Sequence, residues 1–271
     1  MNPTEGAADA LLQLLEVMRR LRDPHTGCPW DQAQTAESLA PYTLEEAYEV
    51  VDVIQRGALL QWPDELGDLL FQIIFQAQLA AEQGRFNFAS VAAGIANKLE
   101  RRHPHVFGDA ALRDAVEQTR QWEAHKASER RASGGMGALN GVALALPALA
   151  RANKLGKRAA RVRFEWPDRL AVRDKVNEEW RELAETLQPG SDPREQFEEF
   201  GDLLFALAQY ARHLHIDPEA ALRAANRKFE RRFAAMETLA REAALNTEQL
   251  DLGQWETLWQ QVKARERSGG R

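Results

Sequence analysis

One block of acidic and apolar residues occurs twice in this chain, and it limits the fold more than any other feature. Glu45-Glu46-Ala47-Tyr48-Glu49 is followed after fifteen residues by Glu65-Leu66-Gly67-Asp68-Leu69-Leu70-Phe71. Glu178-Glu179-Trp180-Arg181-Glu182 is followed after sixteen by Glu199-Phe200-Gly201-Asp202-Leu203-Leu204-Phe205. Each helical residue advances about 100°, so acids at i, i+3 share a face only on helices. A third echo, Lys98-Leu99-Glu100-Arg101-Arg102 against Lys228-Phe229-Glu230-Arg231-Arg232, keeps the same order and marks an internal duplication. No stretch shows strand alternation, and the expected fold class is all-α, as two tandem helical-bundle domains. Residues 132–142 hold four glycines in eleven positions and are the expected linker between domains 1–131 and 143–271.

The punctuation of the chain gives the elements. Leu11, Leu12, Leu15 and Met18 recur at helical spacing over residues 7–22, and Asp23-Pro24 ends that pattern. Residues 23–31 carry two prolines and a glycine and are expected to be a loop anchored by Trp30. His25 and Cys28 have no second pair at zinc-finger spacing, so a zinc site is disfavoured. A helix is expected from residue 36 to Arg56-Gly57, with Thr43 as a cap and Leu44, Tyr48, Val51 and Ile54 buried. Further helices are expected over 64–83, 88–102, 111–131, 147–160, 170–187, 196–213, 218–243 and 249–267. Gly67 and Gly201 suggest close approach of another backbone.

The acids then suggest a chemistry. Glu46 and Glu49 share a face of one helix, as do Glu65 and Asp68 on the next, and a short connection favours antiparallel packing. Four carboxylates would converge and repel unless cations lie among them. Glu179, Glu182, Glu199 and Asp202 repeat the arrangement, with Glu45 and Glu178 at its edge and Asp52 and Glu185 one heptad further out. The bland alternative is that acids near helix starts complement the helix dipole on a solvated face. Acids set directly before Leu-Leu-Phe argue against it, because charge entering a core helix needs a partner. A di-iron bundle would require Glu-x-x-His where this chain has Asp68 and Asp202. All-oxygen ligation favours Mg²⁺, with Mn²⁺ as a possible substitute.

Composition excludes other classes. Formal net charge is -6 with no uniformly basic face, which disfavours nucleic acid as a partner. No apolar run reaches membrane-spanning length and no basic-then-apolar leader opens the chain, so a cytoplasmic protein without a membrane partner is expected. The single Cys28 agrees with a reducing compartment. The basic end at Lys98, Arg101 and Arg102 reads as solvated, and His103 and His105, which have no counterpart in the second half, read as structural.

Taken together, Cys28-Pro29-Trp30-Asp31, both acid sets, Lys98 to Phe107, Leu146 to Leu149 and Lys228 to Phe233 make the chain resemble the two-domain form of the MazG family of nucleoside triphosphate pyrophosphohydrolases. The resemblance spans nearly the whole chain. It implies helical bundles, usually dimeric, whose acids hold Mg²⁺, and cleavage of a (d)NTP between the α and β phosphates to a monophosphate and pyrophosphate, a nucleotide-pool house-cleaning activity. Carried over by position, it implies Lys175, Lys228 and Arg232 on the phosphates, Arg231 beside them, and Trp259 stacked on the base. Glu178 would orient the attacking water. The second copy has Lys175 three residues before its first acid where the first copy has Tyr42, so the second is expected to be the main site and the first a metal-binding copy. A non-catalytic nucleotide-binding scaffold and a purely structural dimerisation module are the rival readings.

Overall fold

The computed structural model describes residues 6–108, 114 and 137–269. Among them every regular element is helical. Contacts divide the chain into two units, Met1–His125 and Lys126–Arg271. Apart from residue 114, the helix expected over 111–131 lies outside the described residues, as do residues 132–136 of the linker expected over 132–142. Residues 137–141 are bends and turns.

The first unit comprises α1 (Ala7–Leu21), α2 (Pro29–Ala33), α3 (Ala36–Arg56), α4 (Trp62–Glu82), α5 (Phe88–Arg102) and α6 (Pro104–Phe107). Its core is Met18, Leu39, Ile74, Phe75 and Leu79, with Leu11, Leu14, Leu15, Phe71 and Phe88 against it. Burying one such side chain stabilises by about 1.5–3 kcal/mol. Leu12, expected on the buried stripe, is exposed. α3 and α4 pack together as an αα-hairpin across the turn at 57–61, and Gly57 ends α3 in the left-handed conformation at φ 70°.

Several local expectations are corrected. The cap of α3 is Thr35, not Thr43: Thr35 and Ser38 form a reciprocal capping box, and Thr43 Oγ1 instead donates to the Leu39 carbonyl. Pro41 lies inside the helix. Leu44, Tyr48 and Ile54 are exposed, because the core side of α3 passes through Leu39 and Val53. The 23–31 segment contains the start of α2, and Trp30 is half exposed, with its ring edge-on to that of Tyr42. The anchor is Arg22, whose guanidinium donates to the carbonyls of Asp31, Gln32 and Gln34 and pairs with Glu82. A Cβ on Gly27 would lie 2.3 Å from the Leu21 carbonyl oxygen, so that turn requires glycine.

The second unit comprises α7 (Ala148–Ala160), α8 (Arg169–Glu185), α9 (Pro193–His213), α10 (Pro218–Glu242) and α11 (Leu252–Gly269), with a 3₁₀ turn at Thr247–Gln249. α8 and α9 form the hairpin corresponding to α3 and α4, and α7 packs on α9 as α1 packs on α4. Asp168, Asp192 and Asp217 cap α8, α9 and α10 through their carboxylates. α10 and α11 close over Met236, Leu239, Ala240, Leu258 and Val262.

Close approach by a neighbour occurs at Gly156, not at Gly67 or Gly201. A Cβ at either of the latter meets nothing within 4 Å, whereas one at Gly156 would lie 1.7 Å from Gln209 Oε1. Gln209 is fully buried, donates to the Ala152 carbonyl at 2.8 Å, and accepts from Arg212 Nε at 2.9 Å. Asp68 and Asp202 are exposed: the buried part of α4 begins at Gln72, and in α9 the following turns bury Leu203, Ala206, Ala208 and Gln209. These acids stand at the entrance to the core helices and not within the core.

Candidate metal and nucleotide site

The duplicated acids come together in both units. One carboxylate oxygen each from Glu46, Glu49 and Glu65 lies within 4.8 Å of the others, and the same holds for Glu179, Glu199 and Asp202. The fourth member differs between copies. Asp68 and Glu182 stand outside those groups of three, yet each acts on it electrostatically. Burial first, then the charges of Asp68 and Glu49, push the Glu46 carboxyl above its ordinary range. Burial followed by Glu49 and Asp68 does the same to Glu65. In the second unit burial, then Glu182, Glu179 and Asp202, raise Glu199. Each carboxyl is held up by its neighbours' negative charge, which a cation would relieve.

The second copy has an internal cation. Lys175 Nζ donates to Glu178 Oε1 at 2.7 Å and lies 2.8 Å from Glu179 Oε1. The i, i+3 and i, i+4 spacing on α8 brings all three head groups to one side. Glu178 and Glu179 hold the lysine proton more tightly than usual, in that order. Glu179 is the most buried of the predicted acids, at 6% exposure. At the corresponding place before Glu45 the first copy presents Tyr42, which is exposed. Glu45, Asp52 and Glu185 are exposed; Asp52 pairs with Arg56, whose positive charge also acts on Glu65.

Apart from Lys175, the predicted phosphate and base residues form a second group, on the α10–α11 pair. The Arg232 guanidinium lies over the Trp259 ring at 5.3 Å and donates through Nε and Nη2 to Glu266 Oε2 at 2.9 and 2.8 Å. Arg231 Nη2 reaches Glu266 Oε1 at 3.3 Å. Phe229 tilts against Trp259, and Phe233 stacks on Trp255. Lys228 is exposed on the same helix. The acid partner of Arg231 and Arg232 is thus Glu266. Glu266 lies outside the duplicated motifs; its signal in the sequence is a lone acid among Lys263, Arg265 and Arg267 in the last helix.

An all-α chain with a duplicated helical hairpin and an oxygen-only donor set on each copy is built for hard divalent cations and the phosphates they accompany. The chain belongs to the MazG nucleotide pyrophosphohydrolase family, whose domain matches it at residues 34–107 and again at 169–235. It is 48% identical to the nucleoside triphosphate pyrophosphohydrolase of Escherichia coli K12 over 94% of this chain and 97% of that protein. It is 42% identical to the nucleoside triphosphate pyrophosphohydrolase/pyrophosphatase MazG of Thermotoga maritima, over 93% and 94% of the two chains. An uncharacterised Bacillus subtilis protein, YabN, is 39% identical over 93% of this chain and 51% of its own length. The two family matches cover both acid sets, so the duplication seen in the sequence is a duplication of the family domain. The chain is a hydrolase acting on nucleotide acid anhydrides.

Proposed function

We propose that the protein hydrolyses (d)NTPs to the monophosphate and pyrophosphate with Mg²⁺, and that the second unit is its main active site. The observation carrying the assignment is the contact of Lys175 with both Glu178 and Glu179, where the first unit has Tyr42 at the corresponding position. Glu179, Glu182, Glu199 and Asp202 would hold the metal, and Glu46, Glu49, Glu65 and Asp68 would hold it in the first unit. The carboxylate spacing and all-oxygen donor set fit that ion, with Mn²⁺ as a substitute. When bound, Mg²⁺ neutralises phosphate charge and lowers the pKa of a coordinated water.

The chain's own residues have distinct tasks. Glu178 accepts from Lys175 through Oε1, which leaves Oε2 to accept from and orient the attacking water. The water oxygen bonds to the α-phosphorus as the bond to the bridging oxygen breaks, releasing pyrophosphate. Lys175 offsets the charge of Glu178 and Glu179 so that a polyanion is not repelled. Lys228, Arg231 and Arg232 bind phosphates, and Trp259 stacks on the base. Glu45 remains a secondary candidate at the edge of the first cluster.

The same reading places the domains at 1–131 and 143–271, joined by 132–142, in a cytoplasmic homodimer serving nucleotide-pool house-cleaning. No described helix is long and apolar enough to cross a membrane. Leu66, Leu70 and Ile73 on α4 and Leu44, Tyr48 and Ile54 on α3 are exposed, an apolar face suited to a second copy. Pyrophosphate release by single variants tests the site assignment. Glu182→Ala should lower the rate by about 100-fold or more, while Glu49→Ala should leave most of it. Full activity in Glu182→Ala would overturn it.

A further inference from the structure

The far end of each bundle, away from the acids, carries a cavity between the first helix of the unit and the end of its core helix. In the first unit the polar groups around it are committed to one another. Arg19 pairs with Glu16, Arg22 with Glu82, Gln78 with Glu82, Gln32 with the Asp23 carbonyl, and Asp23 with the turn at His25 and Thr26. In the second unit a cavity of about 250 Å³ is bounded by Asn153 and Lys157 on α7, Arg212 near the end of α9, and His215 and Asp217 in the turn to α10. Here the commitments are incomplete.

Asn153 is 8% exposed, its Oδ1 is buried without a partner, and its side chain makes no hydrogen bond among the described residues. A buried amide left unpaired costs about 1–3 kcal/mol. Lys157, one turn further along α7, has no acidic partner among the described residues, and the His215 ring has none either. His215 is held at φ 58°, a left-handed conformation that is uncommon for a side-chain-bearing residue. The other charged groups at the cavity wall are already partnered: Arg212 donates to Glu165 and Gln209, and the Asp217 carboxylate accepts from the Ala220 amide. Asn153 lies on the wall of the cavity, one turn before the close α7–α9 contact at Gly156.

We infer that this cavity binds a small phosphate monoester bearing a hydroxyl, its phosphate on Lys157 and His215 and its hydroxyl donating to Asn153 Oδ1. Lys157 and the imidazole N–H supply donors for an anion, and the unpaired acceptor calls for a donor on the same ligand. The volume suits a sugar phosphate and is small for a nucleoside triphosphate. From Asp202 to Arg212 is ten residues of α9, about 15 Å along the helix, so this pocket is separate from the acids.

Thermal unfolding of the full chain without divalent metal, at fixed ionic strength, tests the site with ribose 5-phosphate as probe and sulfate as control. Ribose 5-phosphate should raise the melting temperature of the wild type and of Arg232→Ala alike, and sulfate should not reproduce the shift. Lys157→Ala should need at least about tenfold more ligand for the same shift, since losing one charge-assisted contact is worth a factor of this order. Asn153→Leu should melt higher than wild type without ligand, because the orphaned amide is gone, and should lose the response. A wild-type response in Lys157→Ala, an equal response to sulfate, or a response abolished by Arg232→Ala would overturn the proposal. The Lys157 side chain is exposed, so that variant folds even if Asn153→Leu does not. Metal-dependent pyrophosphate release, measured separately, reports on the acid site and is independent of this result.

Discussion

At the level of single residues, Gly156 is the position where composition and packing are tied most tightly. The helix tolerates glycine there, at a cost of about 1 kcal/mol against alanine in propensity alone. It does so because the fully buried Gln209 amide occupies the place of a Cβ, bridging Ala152 and Arg212. Gly156→Ala must displace that amide and break the bridge, and urea unfolding should show a loss of about 2–4 kcal/mol despite the gain in helix propensity. Gly201→Ala is the contrasting case, since the added methyl meets nothing within 4 Å in this chain. Gly67 and Gly201 sit beside the acids and, from the sequence alone, read as the close-approach sites. Which glycine faces a neighbour depends on helix rotation against a third element, and spacing within one helix does not contain that information.

Between elements, the two units fasten the end of the core helix to the preceding loop with charges of opposite order. In the first, Arg22 after α1 holds Glu82 at the end of α4; in the second, Glu165 after α7 holds Arg212 and His213 at the end of α9. Arg212 Nη2 donates to Glu165 at 2.7 Å, and His213 Nε2 lies 2.9 Å from the same carboxylate. Hydrogen bonding from Arg212, outweighing burial, and then from His213, depresses the Glu165 carboxyl to about 2. A depressed carboxyl contributes stability above its unfolded value near 4.5 and loses it as pH falls toward 2. Glu165→Gln should therefore cost about 2 kcal/mol at neutral pH and show a smaller loss of stability between pH 4.5 and 2 than the wild type, by acid titration of unfolding. Helices and their order were legible in the sequence because caps, prolines and apolar periodicity are local. The convergence of the acids was legible because i, i+3 spacing on neighbouring helices nearly fixes it. The buried face of α3, the true cap at Thr35, the Arg22 anchor and the Glu266 clamp were not, since each depends on a partner distant in sequence or on a competition between two plausible local choices.

For the molecule as a whole, two copies of one carboxylate hairpin mean that metal binding and hydrolysis need not coincide. If both clusters take Mg²⁺, the wild type should melt roughly 5–10 °C higher at saturating metal. Glu49→Ala and Glu182→Ala should each remove part of that shift, while only Glu182→Ala removes pyrophosphate release. The exposed faces of the hairpins bear on assembly in the same way. Leu66, Leu70 and Ile73 of α4 correspond in the duplication to Phe200, Leu204 and Leu207 of α9, and all six are exposed in the single chain. Apolar residues repeated at matching positions on both copies, beside carboxylates that must stay accessible, are poorly explained as solvated surface. A second copy covering this face would make the wild type sediment at twice the chain mass. Leu70→Asp would place a charge in that contact, and burying it unpaired would cost several kcal/mol. Sedimentation should then shift to the single-chain mass at micromolar concentration with helical content unchanged, and a wild type that sediments as a single chain at all concentrations would rule out the second copy as the occupant of this face.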